Sequence, residues 1–490
     1  MLRYHTFSIT FVLGRSGKEL IFMSNIPFIY LFENVSGKYF FDVNKNMVVE
    51  VNSNLYNYLY KWIHYGLNTN GHCVDYAIQN AICELRKKGF LSCNRPQEMK
   101  HPLTPYIRDY LENNLKRLIL QITQNCNMRC QYCNFSGSGI LSRTHQNKNM
   151  PQNVAFKAIE FFRDHSYNSD EIEISFYGGE PLLVFSTIKA TVDYALKIFG
   201  DKKIKFSMTT NGTVFSREMI LYLSEKKFIL TISVDGPSNY HDANRRMAFD
   251  GSGSFSKIYN NLLEIKSIAP EYYNTIEFNA VIEPDRNLQE IEEFFNSDPA
   301  FKNNHVIVNR VNDSLTNQKY EDTEEYIVEK EALLFKSLLE QIVYNRSKYY
   351  SKNINILNSL KHTMRSLEAV PASTHHEGPC LPGYNRLFVD ISGVFRICEK
   401  ASELSNHMII GDLDNGLNYD NINKLLNIGE LTEKKCLNCW LIRQCRICPT
   451  SIDNITELSK ELKEKQCLLQ KNIFLEKLND YTIFKKIGII

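Results

Sequence analysis

Three cysteines stand close together in segment 126–133: Cys126, Cys130 and Cys133, a CxxxCxxC array. They follow directly on the apolar run 118–123, which reads as a strand. The thiols therefore sit on a loop at the C-terminal end of a strand, the end at which the loops of parallel α/β barrels build active sites. Thiolates hold the irons of a four-iron cluster, so three ligands on one tight loop leave one iron without a protein ligand. An open iron is a place for chemistry. A structural zinc site is the plainer alternative, but it needs four ligands and none completes a zinc-finger spacing here.

Further motifs follow at the ends of later strand-like runs. Gly178-Gly179-Glu180-Pro181 comes after 172–177; paired glycines let a backbone approach a ligand closely, and a Glu180 carboxylate can accept from an ammonium group. Ser207-Met208-Thr209-Thr210-Asn211-Gly212 closes the next strand, and Ser233-Val234-Asp235-Gly236-Pro237 precedes His241 and Arg245. Together with the cysteine array these motifs resemble the radical S-adenosylmethionine (SAM) enzymes. More narrowly, they resemble the subgroup with a C-terminal cysteine-rich SPASM domain that modifies ribosomally made peptides, over about residues 117–467. The resemblance implies that SAM is chelated by the open iron and cleaved by one electron, and that a 5'-deoxyadenosyl radical then takes hydrogen from the substrate. It also implies that Gly178, Gly179 and Glu180 hold the SAM amino group, that Ser207 contacts the ribose and that Arg245 pairs with the carboxylate. Asp235 and His241 would shape the loop. A solvated turn at Glu180 and a surface Arg245 beside Arg246 are the plainer readings of the same residues.

A second cysteine array lies near the C-terminus: Cys380, Cys398 five residues after Gly393, Cys436, Cys439, Cys445, Cys448 and Cys467. The order resembles the SPASM pattern, except that two residues separate Cys445 from Cys448 where the family usually has three. Seven thiols suit two auxiliary clusters with one ligand position unfilled. By the resemblance, Cys436, Cys439, Cys445 and Cys467 enclose one cluster, and Cys380, Cys398 and Cys448 hold the other. His375, His376, water or a substrate thiolate would complete the second. Two zinc sites are the competing reading. Glu399 stands where sulfatase maturases carry a proton-removing Asp, which makes it a candidate general base; a salt bridge involving its neighbour Lys400 is the alternative.

Strand and helix signals alternate through 115–320, which argues for a parallel α/β unit. The expected fold class is α/β: a partial (β/α)6 TIM-like radical SAM barrel with an N-terminal winged-helix-like domain and a C-terminal cysteine-rich SPASM domain. Residues 1–22 read as a non-native extension before a start at Met23, and 23–93 as the winged-helix-like unit that would bind a leader peptide on a strand edge. A linker (94–114), the barrel (115–320), bridging helices (321–378), the SPASM unit (379–470) and a tail (471–490) follow. Cys73, Cys83 and Cys93 read as ordinary buried thiols.

Composition sets the outer bounds. With 57 basic against 55 acidic residues, net charge +2 and 43% hydrophobic content, the chain reads as a globular protein with no electrostatic case for nucleic acid or membrane as partner. Thirteen cysteines, clustered in CxxC-type spacings without a clear export signal, favour metal ligation in a reducing compartment, hence the cytoplasm. The expected cofactors are SAM and three [4Fe-4S] clusters, one SAM-binding and two auxiliary. The expected activity is hydrogen abstraction from a precursor peptide with a leader sequence to form a thioether or other side-chain crosslink, with ferredoxin or flavodoxin as electron donor. An anaerobic sulfatase maturase and a non-catalytic Fe-S peptide-binding partner are the alternatives.

Overall fold

In the computed structural model of the chain, residues 25–66, 75–136, 142–312, 319–344 and 356–490 are described. The start expected at Met23 and the thiol of Cys73 lie outside them. Three antiparallel strands come first, β1 (Ile29–Asn34), β2 (Gly37–Asp42) and β3 (Met47–Val51), in the order β1-β2-β3. Alternation gives this small sheet two apolar faces. Ile29 and Phe40 pack on the helices Ser53–Tyr65 and Tyr76–Lys87, the first of which is capped by Asn52 accepting from Leu55 N. Phe32, Tyr39 and Phe41 face the other way, into a core shared with Leu441, Ile442, Ile447 and Phe474. Tyr30 stacks on Trp440 with ring centroids 3.9 Å apart. Cys83 is exposed and Cys93 half-buried, so neither is the buried thiol expected, because the helix carrying Cys83 turns that position to solvent.

The segment expected as a linker contributes the two-residue strand β4 (Glu98–Met99) and the helix Ile107–Asn113. Six parallel strands follow: β5 (Arg117–Thr123), β6 (Glu171–Gly178), β7 (Lys203–Thr210), β8 (Ile229–Ser233), β9 (Glu277–Ile282) and β10 (His305–Arg310). Side chains alternate between faces along each strand. Ile172, Ile174 and Phe176 of β6, Phe206 and Met208 of β7, and Phe278 and Ala280 of β9 lie in the core with Ile159, Phe162, Ile188 and Val192 of the covering helices. The opposite face is polar: Glu173, Ser175 and Tyr177 of β6, Thr209 of β7 and Asn279 of β9 keep partial or full exposure. One face is core and the other is free to receive a ligand.

The sheet continues beyond β5. After the helices Glu324–Tyr344 and Ile356–Thr363, β11 (Ser373–Thr374) pairs with β4. Then β12 (Leu387–Val389) adds parallel to β5, followed by antiparallel β13 (Val394–Arg396), β14 (Ile409–Asp412) and β15 (Gly416–Leu417). The segment that opens the C-terminal cysteine array is thus built into the same ten-stranded sheet as the cysteine loop after β5. The chain ends in the long helix Lys460–Lys486. No helix among the described residues is long and apolar enough to cross a membrane.

Candidate active site and thiol groups

The cysteine loop leaves β5 at Thr123 and is braced by the ends of β6, β7 and β8. Gly178 and Gly179 make the bracing possible: Cβ atoms there would lie 2.1 Å from Thr123 O and 2.0 Å from Asn125 O, inside the backbone of the loop. The contact is sealed by Gly179 N donating to Thr123 O and Glu180 N to Asn125 O, at 2.9 and 2.8 Å. The Glu180 side chain corrects the expectation made for it. Its carboxylate is 0% exposed and accepts from Leu182 N, Thr210 Oγ1 and Asn211 N, so it ties β6 to β7 instead of facing an ammonium group. What the turn can present to a ligand is backbone.

Each thiol has a polar neighbour at the edge of sulfur hydrogen-bond range: Asn211 Nδ2 lies 3.9 Å from Cys126 Sγ, Arg245 Nη1 3.9 Å from Cys130 Sγ, and His145 Nε2 3.8 Å from Cys133 Sγ. Burial pushes the Cys126 thiol up to about 11 and that of Cys130 up to about 12, and the thiols' mutual repulsion adds to both. Iron takes the thiolate, and the positive charge that would offset burial is what an iron core supplies. All described cysteines are free of disulfides. Three mutually interacting thiols on one loop therefore fit a cluster with three protein ligands.

Arg245 is buried, not on the surface. Its Nε donates to Asp235 Oδ2 at 3.0 Å, and the same oxygen accepts from Tyr132 at 2.5 Å. Asp235 Oδ1 takes Val281 N, which anchors the pair to β9. Asp235 and His241 do shape this loop: Asp235 N donates to His241 Nδ1, and His241 Nε2 meets Ser254 Oγ. Ser207 faces the open side of β7, but its hydroxyl donates to Glu173 at 2.5 Å, three residues short of the strand end at Thr210. Thr209 is on the same face, exposed and nearer the loop.

Because β12 lies against β5, the loop after β13 comes to the cysteine loop. Tyr177 marks the junction: burial raises its pKa first, and the charges of Glu399, Cys133, Arg143 and Cys398 act on it too. Glu399 is paired, with Arg386 and not Lys400, through Oε1 at 2.6 Å, while its buried Oε2 has no hydrogen-bond partner among the described residues. Arg143, Gln121 and Gln124 all donate to Glu403, a buried link between the two loops.

In the C-terminal array Cys436, Cys439, Cys445 and Cys467 act electrostatically on one another, and Cys398 and Cys448 do likewise. Gly378 packs on Ile447 so tightly that a Cβ would lie 1.9 Å from Ile447 O, whereas Cys380, two residues on, is exposed. His375 is not available to complete that group. Its Nδ1 meets His376 O and its Nε2 accepts from Gly429 N, while His376 sits by Cys445 and Lys463. Among the described residues, no three His, Cys, Asp or Glu side chains converge closely enough to hold a single metal ion.

Sequence reading left Asn211, His145, Tyr132, Arg143 and Glu403 without a role at the site. Asn211 had a signal, its place in the Thr-Asn-Gly end of β7; the others come from loops whose approach no local spacing encodes.

Residues 120–297 match the Radical SAM superfamily. Over 425 residues the chain is 26% identical to the radical SAM cyclopropyl synthase TigE of Paramaledivibacter caminithermalis, covering 81% of this chain and 84% of that one. It is also 26% identical to a cysteine-type anaerobic sulfatase-maturating enzyme of Clostridium novyi over 350 residues, 68% of this chain and 87% of the other. The solved structure of native anSMEcpe with bound AdoMet shares the fold, with TM-score 0.55 at 20% identity over 77% of this chain and 100% of that chain. The chain carries a radical SAM domain, homologous to those of anaerobic sulfatase maturases and of a radical SAM cyclopropyl synthase.

Proposed function

We propose that the protein is a radical SAM maturase of a ribosomally made precursor peptide, joining side chains after hydrogen abstraction. The observation that carries this reading is the buried link at Glu403, where the loop that follows Cys398 and Glu399 takes hydrogen bonds from Arg143, Gln121 and Gln124 beside the cysteine loop. SAM with the cluster at Cys126, Cys130 and Cys133 supplies the hydrogen-abstracting chemistry when bound. The chain's own residues do the rest. Backbone at Gly178, Gly179 and Glu180 would orient the amino group, and Arg245, held by Asp235, would meet the carboxylate. Ser207, whose hydroxyl donates to Glu173, would accept from a ribose hydroxyl. Glu399 would take the substrate proton at Oε2, with Arg386 keeping the carboxylate aimed.

Two auxiliary clusters would occupy the C-terminal thiols, one held by Cys436, Cys439, Cys445 and Cys467 and the other by Cys380, Cys398 and Cys448 with one ligand position unfilled. The leader would add to β3, an edge strand of the N-terminal sheet. A reduced ferredoxin or flavodoxin in the cytoplasm would be the donor. The length of the likeness to the cyclopropyl synthase adds carbon–carbon ring closure to thioether formation as the bond class. Sulfatase maturation is the second reading, favoured by the 87% coverage of the Clostridium novyi enzyme.

The test is 5'-deoxyadenosine formation by anaerobically reconstituted protein under dithionite, wild type against C126A/C130A/C133A. Cleavage only in the wild type supports the radical enzyme; a fully iron-loaded wild type that cleaves no SAM overturns it. A cysteine-containing precursor peptide with its leader would lose two hydrogens under the first reading. A sulfatase-derived peptide would instead gain formylglycine under the second.

A further inference from the structure

One buried lysine is not explained by any role given so far. Lys463 lies in the helix Lys460–Lys486 four residues before Cys467, so the two side chains share a helix face. It is 0% exposed. Its ammonium donates to Ile428 O at 2.6 Å and Gly429 O at 3.3 Å, and reaches Cys436 Sγ at 3.8 Å. Among the described residues its hydrogen-bond partners are thus two carbonyls and a thiol, with no carboxylate.

A buried ammonium needs a counter-charge, because carbonyl dipoles satisfy its donors without cancelling its charge. Four neutral thiols would leave it uncompensated. Four thiolates around an iron–sulfur core carry net negative charge and would compensate it. We infer that Lys463 is the buried counter-cation of an anionic cluster at Cys436, Cys439, Cys445 and Cys467, and that it raises that cluster's reduction potential. Reduction adds a negative charge, so a fixed cation with an N–H aimed at a ligand sulfur stabilises the reduced form. The inference rests on the reading of these four thiols as a cluster site.

The experiment uses the full chain with C126A/C130A/C133A/C398A, which leaves the four thiols as the intact group. It is reconstituted anaerobically with iron and sulfide and titrated by EPR with and without K463M. At equal iron content, K463M is expected to shift the reduction equilibrium at least tenfold toward the oxidised form, about 59 mV for a one-electron couple. K463R should stay within that margin of the unsubstituted lysine. An unchanged midpoint in fully loaded K463M overturns the inference and leaves the cluster reading standing. Failure of the four-thiol chain to take up iron and sulfide overturns both. Should K463M alone not load, pulsed EPR of the reduced four-thiol chain carrying 15N-lysine, with and without K463R, decides: a lysine nitrogen coupling that K463R lacks supports the inference, and the same spectrum in both overturns it.

Discussion

The cysteine loop after β5 and the four thiols near the C-terminus offer the same ligand chemistry in opposite surroundings. The loop thiols are ringed by polar groups, Asn211, Arg245 and His145, at the edge of an accessible polar face. Cys436, Cys439, Cys445 and Cys467 belong instead to an apolar cluster with Leu441, Ile447 and Phe474 that also takes in the N-terminal sheet. A group that exchanges ligands with solvent needs neighbours able to bind the incoming molecule; a closed group needs packing and one counter-charge. The comparison predicts unequal consequences for losing either. C126A/C130A/C133A should abolish 5'-deoxyadenosine formation while retaining roughly two thirds of the iron of a three-cluster protein. C439A should leave SAM cleavage measurable and remove peptide product. Equal loss of cleavage in both would break the distinction.

The polar setting of the loop has its own weak point. Arg245 and Asp235 are 6% and 3% exposed, so removing one partner strands the other in the interior. D235A should destabilise the protein by about 3–5 kcal/mol in chemical denaturation, and reduce iron uptake at the loop before that at the C-terminal groups. The apolar setting should respond to volume instead. Ile447 is 2% exposed between Cys445 and Cys448, and I447A should cost about 3 kcal/mol. Its mark should be faster loss of auxiliary-cluster absorbance in air, with the rate of SAM cleavage by intact protein unchanged.

The same contrast explains what the sequence made legible. The loop cysteines, the Gly178-Gly179 turn and the alternation of strands and helices are local patterns, and each was readable from spacing. Six parallel strands were countable for that reason. The continuation of the sheet through β12 was not, because Leu387–Val389 meets β5 across more than 260 residues. Nor was the inward turn of Glu180, since its partners Thr210 and Asn211 come from the next strand. Lys463 sits in a run of lysines and glutamates that reads as a solvated helix face, and only the approach of Ile428 and Gly429 buries it. The N-terminal strands were legible as strands, but their packing on Trp440 and Phe474 required the fold.

The smallest effect concerns His241, which shapes the Arg245 loop without touching a thiol. Ser254 Oγ donates to Arg245 O, so it accepts from His241 Nε2–H, and Nδ1 is left to accept from Asp235 N. The ring is therefore neutral; a proton on Nδ1 would face a backbone donor. Burial, helped by the Arg245 charge, lowers its pKa from 6.5 to about 2. The unfolded chain takes up this proton below pH 6.5 and the folded chain does not, so the stability it contributes is complete above pH 6.5 and is lost as pH falls toward 2. At pH 5 the loss is about 2 kcal/mol. Denaturant midpoints of wild type and H241N between pH 7 and pH 5 should show a slope shallower by about one proton in the variant. Equal slopes would mean that the imidazole is protonated in the fold, and with it that the Asp235–His241–Ser254 brace is not what holds Arg245 beside Cys130.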